Sequence, residues 1–276
     1  MNINKVKAIY FSPVGNTKTT VERIAAQLAA VLQVPLDVID FTLPAARAAG
    51  YAMAADELVV FGMPTYAGRI PNKALPFVQT LFTGEGTPAV AVVTFGNRSF
   101  DSALTELRDE LDGRGFHVFA AAAFACNHVF SDQIGMKRPD AEDILFMDGF
   151  IRQTATKLVR AETAADLLRP VIADDEPVRP YYVPKGMDGQ PAKFLKAKPQ
   201  TDTALCTDCK ICANVCPMGA VDWDDPLTVN GICIKCQACV AKCPTHAKYF
   251  DDAAFLSHVR YLETHYRRRA NSAAYL

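Results

Sequence analysis

The chain has 276 residues, of which 50% are hydrophobic and 21% are charged, and its formal net charge is -1. This composition is typical of a globular protein and excludes a collagen-like or intrinsically disordered chain. The net charge lacks the basic excess that holds a phosphate backbone, so we expect no nucleic-acid partner. No run of about 18 uninterrupted apolar residues occurs, which predicts no membrane span. The length suggests two domains.

The first residues, Met1 to Lys7, run directly into a strand-like segment and show no pattern of an export signal. We therefore expect a cytoplasmic protein. Nine cysteines in a chain that stays in the reducing cytoplasm favour metal ligation or catalysis over disulfides.

Residues 5–159 alternate short apolar runs with amphipathic stretches, the pattern of a parallel sheet covered by helices on both faces. Five strands are predicted, at Lys7–Ser12, Pro35–Asp40, Glu57–Met63, Ala89–Thr94 and His117–Ala125. Helices are predicted around them, at Thr17–Leu32, Lys73–Phe82, Ser99–Leu111 and Asp140–Arg160. The predicted fold class is therefore α/β, with a doubly wound parallel sheet.

The composition changes after this sheet domain, which we assign to residues 1–168. Residues 169–200 are rich in proline, lysine and aspartate and are predicted to form a linker, whose Tyr181, Tyr182 and Phe194 indicate that it packs against a domain. Residues 201–250 form a second, small domain. The last segment, residues 251–276, is assigned to a C-terminal helix over Asp251–Arg269, with the arginine run 267–269 on a solvated face or against an acidic partner.

A repeated cysteine motif is the strongest signal in the sequence. Four cysteines separated by two, two and three residues, with proline directly after the fourth, occur at 206–217 and again at 233–244. Three cysteines at this spacing wrap one iron–sulfur cubane, and in the two-cluster arrangement the cysteine before proline ligates the other cluster. The first [4Fe-4S] cluster is thus assigned Cys206, Cys209, Cys212 and Cys243, and the second Cys233, Cys236, Cys239 and Cys216.

Zinc sites and disulfides are the alternatives for these eight cysteines. Neither explains a repeated four-cysteine run that ends in proline, and disulfides require an oxidising compartment. The ninth cysteine, Cys126, lies in an apolar run without a partner at metal-ligand spacing, which predicts a buried, inert thiol.

Three loops follow predicted strands at one edge of the sheet, where open α/β sheets bind ligands. The loop Ser12–Thr17 precedes a helix and suits a phosphate, although ordinary helix capping explains the same residues. The other two loops combine glycine with aromatic residues that can lie against a flat ring, which favours FMN. The predicted cofactor-binding residues are Ser12, Val14, Gly15, Asn16, Thr17, Pro64, Thr65, Tyr66, Ala67, Gly68, Arg69, Thr94, Phe95, Gly96, Asn97, Arg98, Phe100 and Asp101.

These loops resemble the phosphate loop and the isoalloxazine-flanking loops of flavodoxins, over roughly residues 5–160. The cysteine block resembles a bacterial two-cluster ferredoxin, and the whole order resembles the flavodoxin–ferredoxin fusion proteins of anaerobic bacteria and archaea. The resemblance implies a five-stranded parallel sheet of order 2-1-3-4-5 followed by a small α+β ferredoxin-like domain. Because Pro13 removes an NH donor, phosphate binding would rest on Ser12, Asn16, Thr17 and the remaining backbone donors.

Clusters carry one electron at a time and a flavin carries one or two, so their combination predicts an electron-transfer protein that converts between one- and two-electron carriers. The resemblance implies anaerobic metabolism and redox proteins as partners. Transfer between clusters and FMN could occur within one chain or across a homodimer. The alternative is an FMN-dependent reductase, or a reductive activator of another protein's cofactor, in which His128, Arg69 and Arg98 orient the substrate. A redox sensor is a third interpretation.

Overall fold

The computed structural model describes residues 1–172 and 177–276, so residues 173–176 of the predicted linker lie outside the described residues. The strands of the described residues are β1 (Lys5–Tyr10), β2 (Leu36–Asp40), β3 (Tyr51–Met53), β4 (Glu57–Pro64), β5 (Phe82–Gly84), β6 (Thr87–Phe95), β7 (Phe116–Ala125), β8 (Gln200–Thr201), β9 (Lys248–Tyr249) and β10 (Ala273–Tyr275). The helices are α1 (Asn16–Leu32), α2 (Leu75–Leu81), α3 (Ala103–Asp112), α4 (Ala141–Arg160), α5 (Ile211–Asn214), α6 (Ala238–Ala241) and α7 (Ala253–His265).

The main sheet has the strand order β10-β7-β6-β4-β1-β2. Its neighbours are parallel except for β10, which pairs antiparallel with β7. The five parallel strands therefore follow the order 2-1-3-4-5 along the chain, which is the order of the flavodoxin-like doubly wound sheet. This confirms the predicted fold class. The order reverses between β1 and β4, and such a reversal opens a crevice at the carboxyl ends of these strands.

The sheet separates two apolar cores, as a sheet with helices on both faces requires. On one face α3 contributes Leu104, Leu107 and Leu111, and on the other α1 contributes Val21 and Ile24. Every residue of β6 is buried, which explains its continuous apolar sequence. Leu107→Ala would leave a cavity in the first core and cost about 2–5 kcal/mol. This rigid sheet fixes the positions of the loops at its edge.

The C-terminal segment differs from the prediction of one helix through Arg269 and a sheet of five strands. Helix α7 ends at His265, and the chain then turns back to add β10 beside β7. Contacts outside the helix explain the early end, because the side-chain amide of Asn97 donates to the backbone carbonyls of Tyr266, at 2.9 Å, and Arg268, at 2.7 Å. The sequence did not reveal this strand, since three residues carry too little pattern.

The arginine run belongs to this anchored segment. Arg269 forms ion pairs with Asp140, Glu142 and Asp143 at the start of α4. Arg268 donates to the backbone carbonyl of Arg98 at 3.1 Å. Both arginines are exposed, as expected of a solvated run, but they lie beyond the end of α7 and contact their own chain.

The described part of the linker is ordered by contacts rather than by helices or strands. The backbone NH of Tyr182 donates to Ala67 at 2.8 Å, and the Tyr181 hydroxyl donates to the carbonyl of Ile70 at 2.9 Å. Phe194 packs edge-on against Phe255 of α7. The linker thus joins the sheet, α7 and the cysteine-rich region. In the described part of the chain, no helix is long and apolar enough to cross a membrane.

Candidate functional site

A cavity of about 210 Å³ lies at the carboxyl ends of β1, β4, β6 and β7. The three predicted loops meet there and supply much of its wall. The predicted residues that line it are Ser12, Val14, Asn16, Thr17, Pro64, Thr65, Tyr66, Ala67, Thr94, Phe95, Gly96 and Arg98. The crevice at the strand reversal is therefore a single pocket, in which one ligand can contact all three loops.

The loop after β1 presents backbone donors at one end of this pocket. The NH groups of residues 14–17 donate to no acceptor among the described residues. Gly15 has a positive φ of 108°, which turns the loop into α1, and no side chain caps the helix there. The Ser12 hydroxyl accepts the Lys18 NH at 2.9 Å and keeps its own proton free. Free NH groups at the positive end of a 17-residue helix form an anion site.

The pocket also has an aromatic wall and one unpaired hydroxyl. Tyr66 lines it from the loop after β4 and Phe95 from the end of β6, and Phe95 packs on Phe100 with ring centroids 5.4 Å apart. The buried Thr65 hydroxyl has no hydrogen-bond partner among the described residues. An orphaned buried hydroxyl is costly, so a ligand that bonds it would recover that free energy. The donor set and the apolar wall fit a phosphate-bearing planar ring.

Several predicted residues stabilise these loops instead of lining the pocket. Arg69 forms a two-bond ion pair with the buried Glu106, which also accepts the Ile70 NH at 2.8 Å. Gly68 leaves room for the Asp101 carboxylate, because a Cβ there would collide with it. Gly15 sets the turn of its loop and offers the pocket only its backbone NH, and the Phe100 ring packs on Phe95 without lining the pocket.

Asn97 is likewise a structural residue. Its side chain is 1% exposed and accepts from Arg138 and from the Ala270 NH, both at 3.1 Å, in addition to its two bonds to the C-terminal segment. It joins the loop after β6 to the chain beyond α7. The sequence could not show that its amide is engaged by the protein's own backbone and by Arg138 and does not line the pocket.

A fourth loop and a cover complete the pocket, and of their residues only His128 was given a ligand role from the sequence, in the reductase alternative. The loop after β7 contributes residues 126–130, and the cover, which we define as Tyr182, Pro184, Phe194, His258 and Leu262, comes from the linker and α7. Strand five was predicted to end at Ala125, so its loop lay at the same edge and was available as a signal. The cover could not be predicted from the sequence, because its residues come together only in the tertiary fold.

Cys126 is buried as predicted, and burial raises the pKa of its thiol to about 12.

His128 in the fourth loop is a neutral hydrogen-bond donor. Its Nδ1 accepts the Phe130 NH at 3.1 Å, which leaves the proton on Nε2. Burial, followed by the charges of His258 and Arg98, lowers the pKa of His128 to about 3. Gly96 lies against its ring so closely that any side chain at 96 would collide with it. His128 thus stays uncharged at neutral pH and is held against the loop after β6.

The cysteine-rich region contains two further cavities, each enclosed by four cysteines. One is lined by Cys206, Cys209, Cys212 and Cys243, and the other by Cys216, Cys233, Cys236 and Cys239. These are the two ligand sets that the spacing assigns, with each fourth cysteine coming from the other half of the repeat. The halves also match in their backbone, because Ala220 donates to the Cys216 sulfur and Ala247 to the Cys243 sulfur, each at 3.2 Å.

The second cavity has the donors that a cluster requires. Burial raises the pKa of the Cys236 and Cys239 thiols to about 12, so thiolates are costly there unless a cation such as iron binds them. The buried side-chain nitrogen of Gln237 has no partner among the described residues, and cluster sulfur would supply an acceptor. Both observations fit an iron–sulfur cluster at this position.

The pocket and the second cysteine cavity share a wall. Ile234 and Lys235 line both of them, and Tyr66 faces the same wall from the pocket side. Burial, and then the charges of Cys236 and Cys233, raise the pKa of the Tyr66 phenol well above its usual value. The loop after β4 therefore reaches the cysteine cavity within a single chain.

Comparison with protein-family models identifies the cysteine-rich region. Residues 205–248 match the family model of the 4Fe-4S dicluster domain. Comparison with curated protein sequences finds no match. The sheet order and this match agree with the predicted flavodoxin-like α/β fold followed by a 4Fe-4S dicluster region.

Solved structures that resemble the chain include two flavodoxins. One comes from the domain Archaea, with 16% identity over 56% of this chain and 99% of that chain, and a TM-score of 0.36. The other comes from Streptococcus pneumonia TIGR4, with 18% identity over 55% of this chain and 99% of that chain, and a TM-score of 0.38. An NADH:FMN oxidoreductase matches at 16% identity over 60% of this chain and 95% of that chain, with a TM-score of 0.41. The fold assignment itself stands on the strand order.

Proposed function

We propose that this chain is an electron-transfer protein in which FMN and two [4Fe-4S] clusters exchange electrons within one polypeptide. The observation that carries the proposal is the wall of Ile234 and Lys235, which lines both the ligand pocket and the second cysteine cavity. When bound, the clusters supply one-electron chemistry and the flavin supplies one- or two-electron chemistry. A common wall supports this proposal, because two centres bound on either side of it would lie next to each other without any second chain.

The residues around the pocket have distinct tasks in this proposal. The NH groups of residues 14–17 and the hydroxyl of Ser12 hold the phosphate. Tyr66 and Phe95 bound the flat ring, and the Thr65 hydroxyl hydrogen-bonds its polar edge. The cover limits access of water to the pocket from the side of the linker and α7.

The two cysteine sets differ in their surroundings, which assigns them different positions in the relay. Cys209 of the first set is exposed, so electrons from a partner would enter or leave there. Cys236 of the second set is buried and lies beside Tyr66. The proposed sequence is therefore partner, first cluster, second cluster and flavin, in either direction. The partners would be redox proteins in the cytoplasm, and this route does not require a homodimer.

One observation favours the reductase alternative. The cover and His128 enclose the pocket next to Arg98, whose guanidinium lies 4.0 Å from the centre of the Tyr182 ring. A neutral imidazole donor and a cation could together orient a small anionic or carbonyl acceptor. Steady oxidation of the reduced protein by one such small acceptor, at a rate that saturates with acceptor concentration, would favour this function over electron carriage.

Quantification after anaerobic purification tests the proposal. We expect about eight irons, eight sulfides and one FMN per chain, as two [4Fe-4S] clusters and one flavin require. Eight irons without flavin after incubation with excess FMN would refute the flavin part. About four irons after reconstitution with iron and sulfide would refute the two-cluster part.

A further inference from the structure

Lys248 occupies an unusual position for a charged residue. It begins β9, which pairs antiparallel with β8 so that Lys248 lies opposite Thr201. Lys248 is only 3% exposed and lines the first cysteine cavity. A lysine this deeply buried normally has an acidic partner, because a desolvated ammonium is costly.

The partners of this ammonium are neutral. Nζ donates to the Thr201 hydroxyl at 2.6 Å and to the backbone carbonyl of Pro226 at 2.5 Å. Among the described residues it forms no ion pair with a carboxylate. Two neutral oxygens orient the ammonium without neutralising it, so its counter-charge must come from another group.

The cysteines supply that counter-charge from both sides. Lys248 lines the cavity of the first set together with Cys212. Its strand, β9, packs against α6, which carries Cys239 of the second set. The ammonium thus lies within electrostatic reach of both sets.

The internal repeat indicates that the fold of this region does not need the charge. Lys248 stands five residues after Cys243, and the residue five after Cys216 is Val221, which is buried at 6% exposure. Both halves keep the same NH-to-sulfur bond one residue earlier, from Ala220 and Ala247. One half therefore accommodates an apolar side chain where the other places an ammonium.

We propose that Lys248 is the shared counter-charge of the two clusters and raises the reduction potential of both. The proposal rests on the proposed function, since it requires that both clusters bind. Reduction adds one negative charge to a cluster, and a fixed cation in a poorly hydrated interior stabilises that added charge. Because one ammonium acts on both clusters, it shifts both potentials in the same direction rather than raising one alone, which leaves transfer between them possible in either direction.

The test is an EPR-monitored redox titration of the full-length protein and its variants. Lys248→Met removes the charge at similar volume, and Lys248→Gln removes it but keeps a donor for Thr201 or Pro226. The matched control is Lys242→Met, which removes the same charge from an exposed position in the same segment. We expect both reduction potentials to fall by about 59 mV in the Met and Gln variants. This shift corresponds to about a tenfold change in each one-electron reduction equilibrium. The control should stay within a third of that shift.

Each outcome decides the matter. Unchanged potentials in a Lys248 variant that retains its iron would overturn the proposal, as would a fall in only one of the two potentials. If both neutral variants lose their clusters, Lys248→Arg decides: retained clusters support a required positive charge, and lost clusters indicate a packing role that overturns the proposal. Wild-type protein without two clusters would instead contradict the proposed function, before any variant is compared.

Discussion

Tyr66 and Cys236 lie within electrostatic reach of each other across the boundary between the sheet and the cysteine-rich region. Tyr66 follows β4 in a loop closed by two backbone bonds with Arg69, of 2.8 and 3.2 Å, while Cys236 lines the second cysteine cavity. Burial is the largest cause of the raised pKa of the Tyr66 phenol, and the charge of Cys236 is the second largest. A residue of the pocket thus lies within electrostatic reach of a cysteine of the second cavity.

Replacing Tyr66 tests whether this contact carries electrons. Tyr66→Leu should weaken FMN binding by about 1 kcal/mol, because an aromatic wall is lost, and should slow transfer between flavin and cluster by opening a gap beside Cys236. The matched control is Tyr182→Leu, which lines the same pocket but has Tyr266, Arg98 and Tyr261 rather than cysteines around its hydroxyl. Anaerobic stopped-flow reduction of the FMN-saturated proteins measures the transfer. Equal rates in the two variants would contradict a role of Tyr66 in the transfer.

The loop after β1 can be tested through its glycine. Gly15→Ala forces a residue with a side chain into φ 108° and should weaken FMN binding at least tenfold, because the loop must shift to relieve the strain. Gly86→Ala is the control, since Gly86 also has a positive φ, of 72°, and open space around a Cβ. Both variants should lose about 1 kcal/mol of stability, but only Gly15→Ala should lose FMN affinity. Fluorescence titration with FMN measures this, and parallel losses of affinity would refute the phosphate assignment.

His128 predicts a pH dependence of stability. Its folded-state pKa of about 3 lies below the ordinary value of 6.5, so protons bind the unfolded state preferentially between these values. Stability should therefore fall as the pH drops below 6.5. Between pH 7 and 5.5, wild type should lose about 1 kcal/mol more than His128→Gln.

Urea unfolding at each pH under anaerobic conditions provides this comparison. The exposed His265 on α7 offers a control, because His265→Gln should follow the wild-type profile. If His128→Gln also follows the wild-type profile, the imidazole is not held in its neutral form by burial.

Asn97 should contribute more to stability than to ligand binding. Asn97→Ala removes four bonds from a buried amide, including those to Tyr266 and Arg268, and should cost about 3 kcal/mol. It should also release β10 to limited proteolysis. Asn4→Ala, which removes an exposed side-chain bond to Asp56, should cost less than 1 kcal/mol. Resistance of the C-terminal segment in Asn97→Ala would contradict the anchoring role.

The sequence sufficed for the parts of the fold that repeat a strong pattern. Continuous apolar runs predicted the five parallel strands, because strands buried on both faces need such runs. The cysteine spacing grouped the sulfurs as the structure does, since three cysteines two residues apart can face only one small volume. The three ligand loops were located because parallel strands end at one edge.

The remainder depended on tertiary contacts that leave no periodic trace. β10 is three residues long and forms because Asn97 and Arg138 hold the preceding chain. The cover joins residues 182–194 with α7, about seventy residues later in the chain. No local sequence pattern indicates that two such distant segments are in contact. Arg69 and Asn97 have the chemistry of ligand residues, and only their partners reveal that they stabilise loops instead.

The most direct test of the central claim is the rate of electron transfer between cluster and flavin at different protein concentrations. Holoprotein carrying both clusters and FMN would be reduced by a rapid pulse, and the spectra of flavin and cluster would be followed separately. If the shared wall of Ile234 and Lys235 brings the centres together, the transfer will be first order, with a rate constant unchanged over a tenfold range of protein concentration. A rate that rises in proportion to concentration, or no transfer at all, would contradict a relay within one chain.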